Sequence, residues 1–296
     1  MPTHDNLGLR MKTFYEQIPK TKLMRRTPVC IRIDGKAFHT FTKNFKRPFD
    51  EILIESMQET AKYLCENIQG CVMSYQQSDE ISLVLIDYQK LTSDAWFDYE
   101  VQKMCSVAAS MATMAFNKIF DNNVRNLIWD YNHSFVPQCM NLQKEIAKYH
   151  NTLLDATGKG AMFDARCFNL PKEEVANYIY WRQLDATRNS IQMVGQANFS
   201  HKELHGKTCN MIQDMLHEQK GINWNDLDTH LKRGSCCIKT ERKETEKHIY
   251  EEQPFGKPRE TIKKIIEHPK WIIDKEIPIF KGEDRKYIED LIYVGE

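Results

Sequence analysis

The sequence has no excess of charge of either sign, since 41 lysines and arginines balance 41 aspartates and glutamates. It therefore lacks the basic coat that is typical of general nucleic-acid binders, and any nucleic-acid surface must be a local patch or be assembled by oligomerisation. It also lacks an apolar run long enough to span a bilayer, and residues 1–6 contain no apolar stretch of the kind that begins a signal peptide. We therefore expect a cytoplasmic protein with no membrane partner.

Zinc-binding patterns are absent as well, because the 9 cysteines form no CxxC pair and no cysteine–histidine zinc spacing. Their odd number and their scatter through apolar segments indicate reduced, mostly buried thiols. What the sequence does have is 41% hydrophobic and 28% charged residues over 296 positions. This composition is typical of a globular protein with one large domain, or with a core and a smaller appendage.

Strands and helices alternate in the first 200 residues. Apolar spacing predicts strands at 29–33, 71–75, 81–86 and 162–170, and helices at 7–18, 50–69, 96–120 and 172–192. The polar stretch 122–160 is predicted to be irregular, with some helical character around 137–150. The order strand, helix, hairpin, helix, strand is that of a ferredoxin-like βαββαβ core. We therefore predict an α+β fold, a two-layer polymerase-like palm whose antiparallel sheet is covered by helices.

The pattern breaks near residues 198–206, and we predict a boundary there. Residues 1–200 form the catalytic palm with its N-terminal helix, and residues 201–296 form a helical and basic C-terminal extension that contacts RNA or another subunit. The extension contains a predicted helix at 202–219 and a basic stretch at 232–247, which glutamates dilute.

Two carboxylates follow predicted strands at points that this topology brings together. Asp34 ends the first strand and is followed by Gly35, and Asp79 lies near the tip of the hairpin. Each alone is an ordinary turn residue. Facing one another without an arginine partner, they would repel unless cations lay between them, and two Mg²⁺ ions would relieve that repulsion and support phosphoryl transfer.

Basic residues near the same strand ends suit a triphosphate. The set consists of Arg32, Lys36, Lys46, Arg47 and Lys103. Each alone is a typical solvated charge, so the prediction concerns the set. Phe38 and His39 line a base pocket in this interpretation, although Phe38 equally suits the core beneath the loop. We expect Trp181 to be a core residue, whereas the neighbouring Arg182 is expected to reach the site or RNA.

Four segments together resemble the tRNA-His guanylyltransferase superfamily. They are Arg-Ile-Asp-Gly-Lys-Ala-Phe-His-Thr-Phe at 32–41, Tyr-Gln-Gln-Ser-Asp-Glu at 75–80, Phe-Asp-Ala-Arg at 163–166 and Trp-Arg-Gln-Leu-Asp at 181–185. Their order and intervals are specific as a combination, and the resemblance runs from about residue 7 to residue 240. Members of this superfamily are 3′-to-5′ polymerases that add nucleotides to the 5′ end of tRNA.

The resemblance implies a set of roles. It makes Asp34, the backbone of Gly35, and Asp79 ligands of two Mg²⁺ ions, with Glu80 assisting catalysis from behind them. It implies nucleotide contacts, for ATP, GTP or another NTP, by Arg32, Gly35, Lys36, Ala37, Phe38, His39, Arg47, Ser78 and Lys103. A homotetramer is implied, with the tRNA spanning several subunits. We assign RNA contacts to Arg166, Arg182, Arg188, Lys232 and Arg233.

The sequence departs from the guanylyltransferases proper just after the Trp-Arg-Gln segment. Their His-Ile-Asn-Asn is replaced by Thr187-Arg188-Asn189-Ser190. Gln76 and Ala165 stand where the family often has glycine. The first departure indicates the like-protein branch, whose members repair 5′-truncated tRNAs by copying the opposite strand.

We therefore predict a template-dependent nucleotidyltransferase that acts on tRNA after the 5′ end is activated with ATP or GTP. The alternatives are an untemplated guanylyltransferase of tRNA-His, a palm-type signalling nucleotidyl cyclase that needs no RNA, and an inactive RNA-binding scaffold.

Overall fold

The computed structural model describes residues 6–133, 140–240, 243–251 and 259–294, with the backbone alone considered for 243–251 and 259–267. The predicted βαββαβ core is confirmed. A six-stranded antiparallel sheet has the order β4-β1-β3-β2-β5-β8. Its strands are β1 (Val29–Gly35), β2 (Cys71–Gln77), β3 (Glu80–Leu85), β4 (Phe163–Asn169), β5 (Ser235–Lys239) and β8 (Trp271–Asp274).

The first four strands and their connecting helices form the palm. α3 (Glu51–Asn67) joins β1 to β2, and α4 (Val101–His133) and α5 (Met140–Lys159) lie between β3 and β4. The predicted N-cap is confirmed, because the carboxylate of Asp50 accepts a hydrogen bond from the Leu53 amide at 3.1 Å. The β-branched run of β1 is buried on both faces of the sheet, so both faces of this strand contribute to the core.

Helices cover both faces of the sheet. One face packs on α3 and α4 through residues such as Ile33, Leu83 and Phe116. The other face packs on α6 (Lys172–Asn198) and α10 (Lys286–Ile292), where Tyr75, Ile179 and Phe280 meet. The sheet is thus enclosed between two helical layers, one more than the predicted two-layer arrangement has.

The expectation of irregular structure is wrong for 122–133 and 151–159, whereas the helical character predicted around 137–150 is confirmed from residue 140 onward; residues 134–139 lie outside the described residues. α4 continues to His133 and α5 begins at Met140. The asparagine-rich segment 121–133 carries Val124, Leu127 and Ile128 at helical spacing, and these side chains pack into the core. Tertiary packing therefore outweighs the low helix propensity of the asparagines.

Smaller elements complete the chain. α1 (Asn6–Met11) is followed by a π-helical turn, Lys12–Glu16, and a short α2 (Phe38–Phe41) follows β1. A 3₁₀ turn, Trp96–Tyr99, precedes α4. The predicted helix at 202–219 is two helices, α7 (His201–Leu204) and α8 (Cys209–Lys220), and α9 (Thr229–Arg233) leads into β5.

The C-terminal portion adds strands to the palm sheet. β5 pairs with β2 and β8 pairs with β5. Among the described strands, β6 (Lys243–Glu251) and β7 (Arg259–Glu267) pair only with each other. Residues 241–242 of the predicted basic stretch lie outside the described residues. The division at residue 200 stays a prediction.

Within the described ranges, no helix is long and apolar enough to cross a membrane.

Candidate functional site

The end of β1 and the tip of the β2–β3 hairpin meet at one edge of the sheet. Asp34 lies opposite Glu80 on one side and Asp164 on the other in the strand register. The Gly35 amide donates a hydrogen bond to the Asp79 carbonyl at 3.0 Å. The topology therefore brings Asp34 and Asp79 together, as their positions at strand ends predict.

The charge of Asp34 acts on Asp79. Burial raises the pKa of Asp79, and the negative charge of Asp34 raises it further, while a hydrogen bond from Ser78 opposes the shift. Among the described residues neither carboxylate has an ion-pair partner. Two partly buried carboxylates held together without a cationic side chain leave a concentration of negative charge at this edge of the sheet.

This arrangement fits Mg²⁺. The donors are hard oxygens, and a cation between them would relieve their repulsion. Over the described ranges, no group of three or more His, Cys, Asp or Glu side chains is placed to hold an ion alone. Mg²⁺ typically takes one or two carboxylates and completes its coordination with water and substrate phosphates, so two carboxylates and a backbone carbonyl are a sufficient protein contribution.

A cavity of about 590 Å³ opens beside this pair, and we call it the Asp34–Asp79 cavity. Its size is within the range of small-molecule sites. Three basic side chains line it, namely Lys43, Lys46 and Arg47. Lys46 is held with its ammonium group 4.4 Å from the centre of the Tyr149 ring. The cavity therefore combines a negative edge with a positive wall, which suits a metal-bound triphosphate.

The loop after Asp34 is shaped by a close packing contact. A side chain at Gly35 would place its Cβ atom 2.2 Å from Cδ2 of Phe38. Phe38 is buried and packs against Phe41, Phe116 and Phe163, while the backbone of Ala37 adopts φ of 54° before α2 begins. Both interpretations of Phe38 therefore have a basis, since it belongs to the core and also lines the cavity with His39 and Ser78.

Glu80 lies behind the hairpin tip in a buried ion pair. Its two carboxylate oxygens accept hydrogen bonds from Nε and Nη2 of Arg182, at 2.6 and 2.8 Å. Burial raises the pKa of Glu80, and the Arg182 guanidinium opposes that shift. Nε of Arg32 lies 3.5 Å from Glu80 Oε2 and makes no hydrogen bond within the described structure. This arrangement suits a role for Glu80 in positioning the hairpin rather than in touching substrate.

Several predicted residues lie away from the cavity. Lys103 is in the first turn of α4, where its ammonium group lies 4.6 Å from the centre of the Phe97 ring. Lys36 is exposed outside the cavity lining, and its amide donates to the Met162 carbonyl at 2.8 Å. The structure therefore does not bring Lys103 or Lys36 to the Asp34–Asp79 cavity, and Arg32 faces Glu80 instead.

The residues predicted to contact RNA have varied surroundings. Arg182 is only 6% exposed and is bound to Glu80 and Asp185, which argues against direct contact with RNA. Arg166 pairs with Asp164 at 3.1 Å and Arg188 pairs with Asp185 at 2.6 Å, yet both arginines are about half exposed.

Two further RNA candidates are near the start of β5. Lys232 Nζ donates to the Asn225 carbonyl at 2.6 Å, and the Arg233 carbonyl accepts from the Tyr75 hydroxyl at 2.7 Å. All five predicted RNA contacts stay predictions. The expectation that Trp181 is a core residue is wrong, since it is 52% exposed with the Arg182 guanidinium 4.5 Å from its ring.

Several residues near the site were not predicted from the sequence. Lys43, Met193 and Gln196 line the cavity, and Asp164 lies beside Asp34 in the sheet. The Asp164 register follows from the ferredoxin-like strand order, which places β4 next to β1, so a register argument was available from the sequence. No sequence signal identified Met193 and Gln196, because they reach the cavity only through the packing of α6.

Comparisons with known proteins agree with this geometry. The family model Thg1, tRNAHis guanylyltransferase, matches residues 9–171. A bacterial tRNA(His) guanylyltransferase (Thg1)-like protein solved in complex with ATP is 40% identical, with a TM-score of 0.73 over 97% of this chain and 99% of that one. A structure of a bacterial Thg1-like protein in complex with GTP is 38% identical, with a TM-score of 0.67 over 98% and 100% of the two chains.

A probable tRNA(His) guanylyltransferase of Dictyostelium discoideum is 25% identical, over 86% of this chain and 89% of its own length. The family match covers more than half of the chain and includes both strand ends that carry Asp34 and Asp79. The paired carboxylates, the palm sheet and these matches together show that the chain belongs to the tRNAHis guanylyltransferase family of nucleotidyltransferases.

Proposed function

We propose that this protein is a Mg²⁺-dependent nucleotidyltransferase that adds nucleotides in the 3′-to-5′ direction to the 5′ ends of truncated tRNAs. The observation that carries the proposal is the Asp34–Asp79 pair, which has no ion-pair partner among the described residues and borders a cavity with a basic wall. The bacterial relatives solved with ATP and with GTP support the same cavity as a nucleotide site. The names of the family and of its curated members support tRNA as the acceptor.

The reaction has two phosphoryl-transfer steps. First, an oxygen of the RNA 5′-monophosphate attacks the α-phosphorus of ATP or GTP, a P–O bond forms, and pyrophosphate leaves. Second, the 3′-hydroxyl of an incoming nucleoside triphosphate attacks the activated 5′-phosphorus, AMP or GMP leaves, and the hydroxyl proton passes to solvent. The new 5′ end then carries the triphosphate of the added nucleotide.

Some residues of the cavity bind metal ions or phosphate groups, and others orient the nucleotide. Asp34, the Gly35 carbonyl and Asp79 would hold two Mg²⁺ ions, whose charge would lower the pKa of the attacking hydroxyl and neutralise developing negative charge. Lys43, Lys46 and Arg47 bind phosphate oxygens, and His39 and Ser78 orient the nucleotide beside the 34–39 loop. Glu80 holds the hairpin tip, and no protein side chain is required as a general base.

The segment 187–190 supports template-directed choice of the nucleotide. The Ser190 hydroxyl accepts a hydrogen bond from Trp224 Nε1 at 3.0 Å, and Arg188 is paired with Asp185. Both side chains therefore bond to other residues of the protein. They lie in a segment whose sequence differs from the His-Ile-Asn-Asn of the guanylyltransferases proper. We infer that base pairing with the opposite strand selects the nucleotide. We also propose a homotetramer in the cytoplasm, since a chain of zero net charge needs several subunits to form a long basic track.

The experiment measures nucleotide addition to a 5′-labelled tRNA that lacks its first nucleotide, with ATP, Mg²⁺ and each NTP singly. Wild type is compared with Asp79→Ala and with Asp155→Ala, a matched control at an exposed carboxylate on α5. We expect Asp79→Ala to slow addition about 100-fold or more, because stabilisation by metal ions contributes several kcal/mol. Asp155→Ala should match wild type.

Changing the template base separates the alternatives. Addition that follows the opposing base supports the proposal, whereas G added opposite every base would replace it with untemplated guanylation. NTP turnover without RNA would indicate a signalling enzyme. Full RNA binding with no addition by wild type would indicate a scaffold.

A further inference from the structure

A second cavity of about 450 Å³ lies next to the Asp34–Asp79 cavity, and we call it the Lys207 pocket. The two cavities share two lining residues, Arg47 from the loop before α3 and Gln196 from the last turns of α6. They therefore adjoin one another, and a chain-like ligand that ends in the first cavity would reach the second by passing Arg47 and Gln196.

The Lys207 pocket has a one-sided charge. Its basic or ring-nitrogen side chains are Arg47, His201, His205 and Lys207, and none of its lining residues is a carboxylate. Within the described ranges, Arg47 and Lys207 have no ion-pair partner. The net charge of the chain is zero, so a concave patch whose polar groups are only positive or neutral is a local excess of positive charge. Such a patch is expected to bind phosphate.

The pocket is held in shape by the elements around it. Its floor consists of Phe199, Leu204 and Ile212, which belong to the apolar cluster between α6 and α8. Glu203 is occupied on α7, where its carboxylate accepts hydrogen bonds from the amide and hydroxyl of Ser200 at 2.7 and 2.6 Å. The nearest acidic residue of α7 is thus engaged in a capping box, and the basic side chains remain available to a ligand.

We propose that the Lys207 pocket binds backbone phosphates of the RNA strand whose reacting end lies in the Asp34–Asp79 cavity. The inference rests on the proposed function, because that function places the reacting 5′ end of the RNA strand in the Asp34–Asp79 cavity. The phosphate groups of a free nucleotide have the same chemistry as the backbone phosphates of RNA. However, the Asp34–Asp79 cavity is already large enough for one nucleoside triphosphate. The additional volume of the Lys207 pocket therefore suits the RNA strand, which must leave the Asp34–Asp79 cavity along some path.

The test measures the affinity of the full-length protein for a 5′-truncated tRNA in the absence of nucleotide, at several salt concentrations. The variants are Lys207→Glu, the milder Lys207→Ala, and Lys90→Glu as a control. Lys90 is an exposed lysine that follows the C-terminal end of β3, whereas the hairpin tip lies at the N-terminal end of that strand. The affinity of each variant for ATP is measured in parallel.

We expect Lys207→Glu to weaken tRNA binding about tenfold and to reduce the salt dependence by roughly one phosphate contact. Lys207→Ala should show the same change at smaller amplitude, and Lys90→Glu should bind tRNA as wild type does. Affinity for ATP should be unchanged in all three variants, because the nucleotide occupies the other cavity.

Two results would overturn the assignment. One is equal tRNA affinity for Lys207→Glu, Lys207→Ala and wild type. The other is weakened ATP binding with unchanged tRNA binding, which would make the pocket a nucleotide subsite. Because binding is measured without catalysis, a wild-type protein that binds tRNA through Lys207 but adds no nucleotide would contradict the proposed function and leave the Lys207 pocket standing.

Discussion

The residue that follows Asp34 is constrained by packing. Gly35 lies against the ring of Phe38, which is itself enclosed by Phe41, Phe116 and Phe163. The ring cannot move away without disturbing this aromatic cluster. The position therefore excludes any side chain for a steric reason, and the Gly35 amide is free to approach the Asp79 carbonyl.

Gly35→Ala should destabilise the fold and slow nucleotide addition. The added Cβ atom would lie 2.2 Å from the Phe38 ring, and overpacking of this kind costs about 1–3 kcal/mol. The displaced loop would also misplace Asp34. Thermal unfolding and the addition assay measure the two effects.

Gly158→Ala is the matched control, since a Cβ atom there meets nothing within 4 Å and the residue lies in α5. It should leave activity unchanged and raise stability slightly, because alanine is the better helix former. Equal behaviour of the two variants would contradict the steric account of Gly35.

At the scale of elements, a buried ion pair joins α6 to the base of the hairpin tip. Arg182 on α6 makes two hydrogen bonds to Glu80, the first residue of β3, and a third to Asp185 at 3.0 Å. Asp79 directly precedes Glu80, so the same contact holds the tip of the hairpin against the helix.

Arg182→Met should destabilise the protein by about 3–5 kcal/mol, since the buried Glu80 carboxylate loses both of its hydrogen bonds from Arg182 and keeps Arg32 Nε, 3.5 Å away, as a cationic neighbour. The double variant Arg182→Met with Glu80→Leu should recover much of that free energy of unfolding, because neither charge then remains buried. Denaturant unfolding of the wild type, both single variants and the double variant measures the coupling.

If the pair positions Asp79, the double variant should remain slow in nucleotide addition although its stability is restored. Wild-type activity in a stable double variant would contradict the positioning role of Glu80.

At the scale of the whole molecule, the C-terminal residues complete the fold that the N-terminal residues begin. The side chain of Gln183 on α6 donates to the Pro278 carbonyl at 2.8 Å and accepts from the Phe280 amide at 3.0 Å. Ile277, Phe280 and Ile288 are all buried. The last segment is therefore part of the palm core.

Ending the chain after residue 240 should prevent cooperative folding. The truncation removes β8 and α10 with Ile277, Phe280, Ile288 and Ile292, each of which contributes about 1.5–3 kcal/mol by burial. That sum is comparable with the net stability of a typical domain. Solubility and thermal unfolding check the result.

Replacing only residues 243–267 by a short Gly/Ser linker is the control. The ends of that segment are adjacent, since the Thr240 amide donates to the Lys270 carbonyl at 2.8 Å. β6 and β7 form a separate two-stranded sheet in the described part of the chain. The control should melt close to wild type. A truncated chain that also melts there would instead favour the predicted boundary at residue 200.

Much of the palm could be predicted from the sequence. The β-branched run of β1, the Asp50 cap of α3 and the polar hairpin tip are local signals, and the structure confirms all three. The length of α4 could not be predicted in this way, because its asparagine-rich half is helical only through packing of Val124, Leu127 and Ile128. The environment of Arg182 could not be predicted either, since its partner Glu80 is 102 residues away along the sequence.

The sequence by itself determined the positions of Asp34 and Asp79 at strand ends, because turn chemistry and apolar alternation act over a few residues. It also determined the βαββαβ order. Only the tertiary structure decided which basic residues reach the cavity, bringing Lys43 and Arg47 to it and leaving Lys103 outside. The reason is that charge can be counted along a chain, whereas the direction of a side chain depends on helices and strands that meet only in the folded molecule.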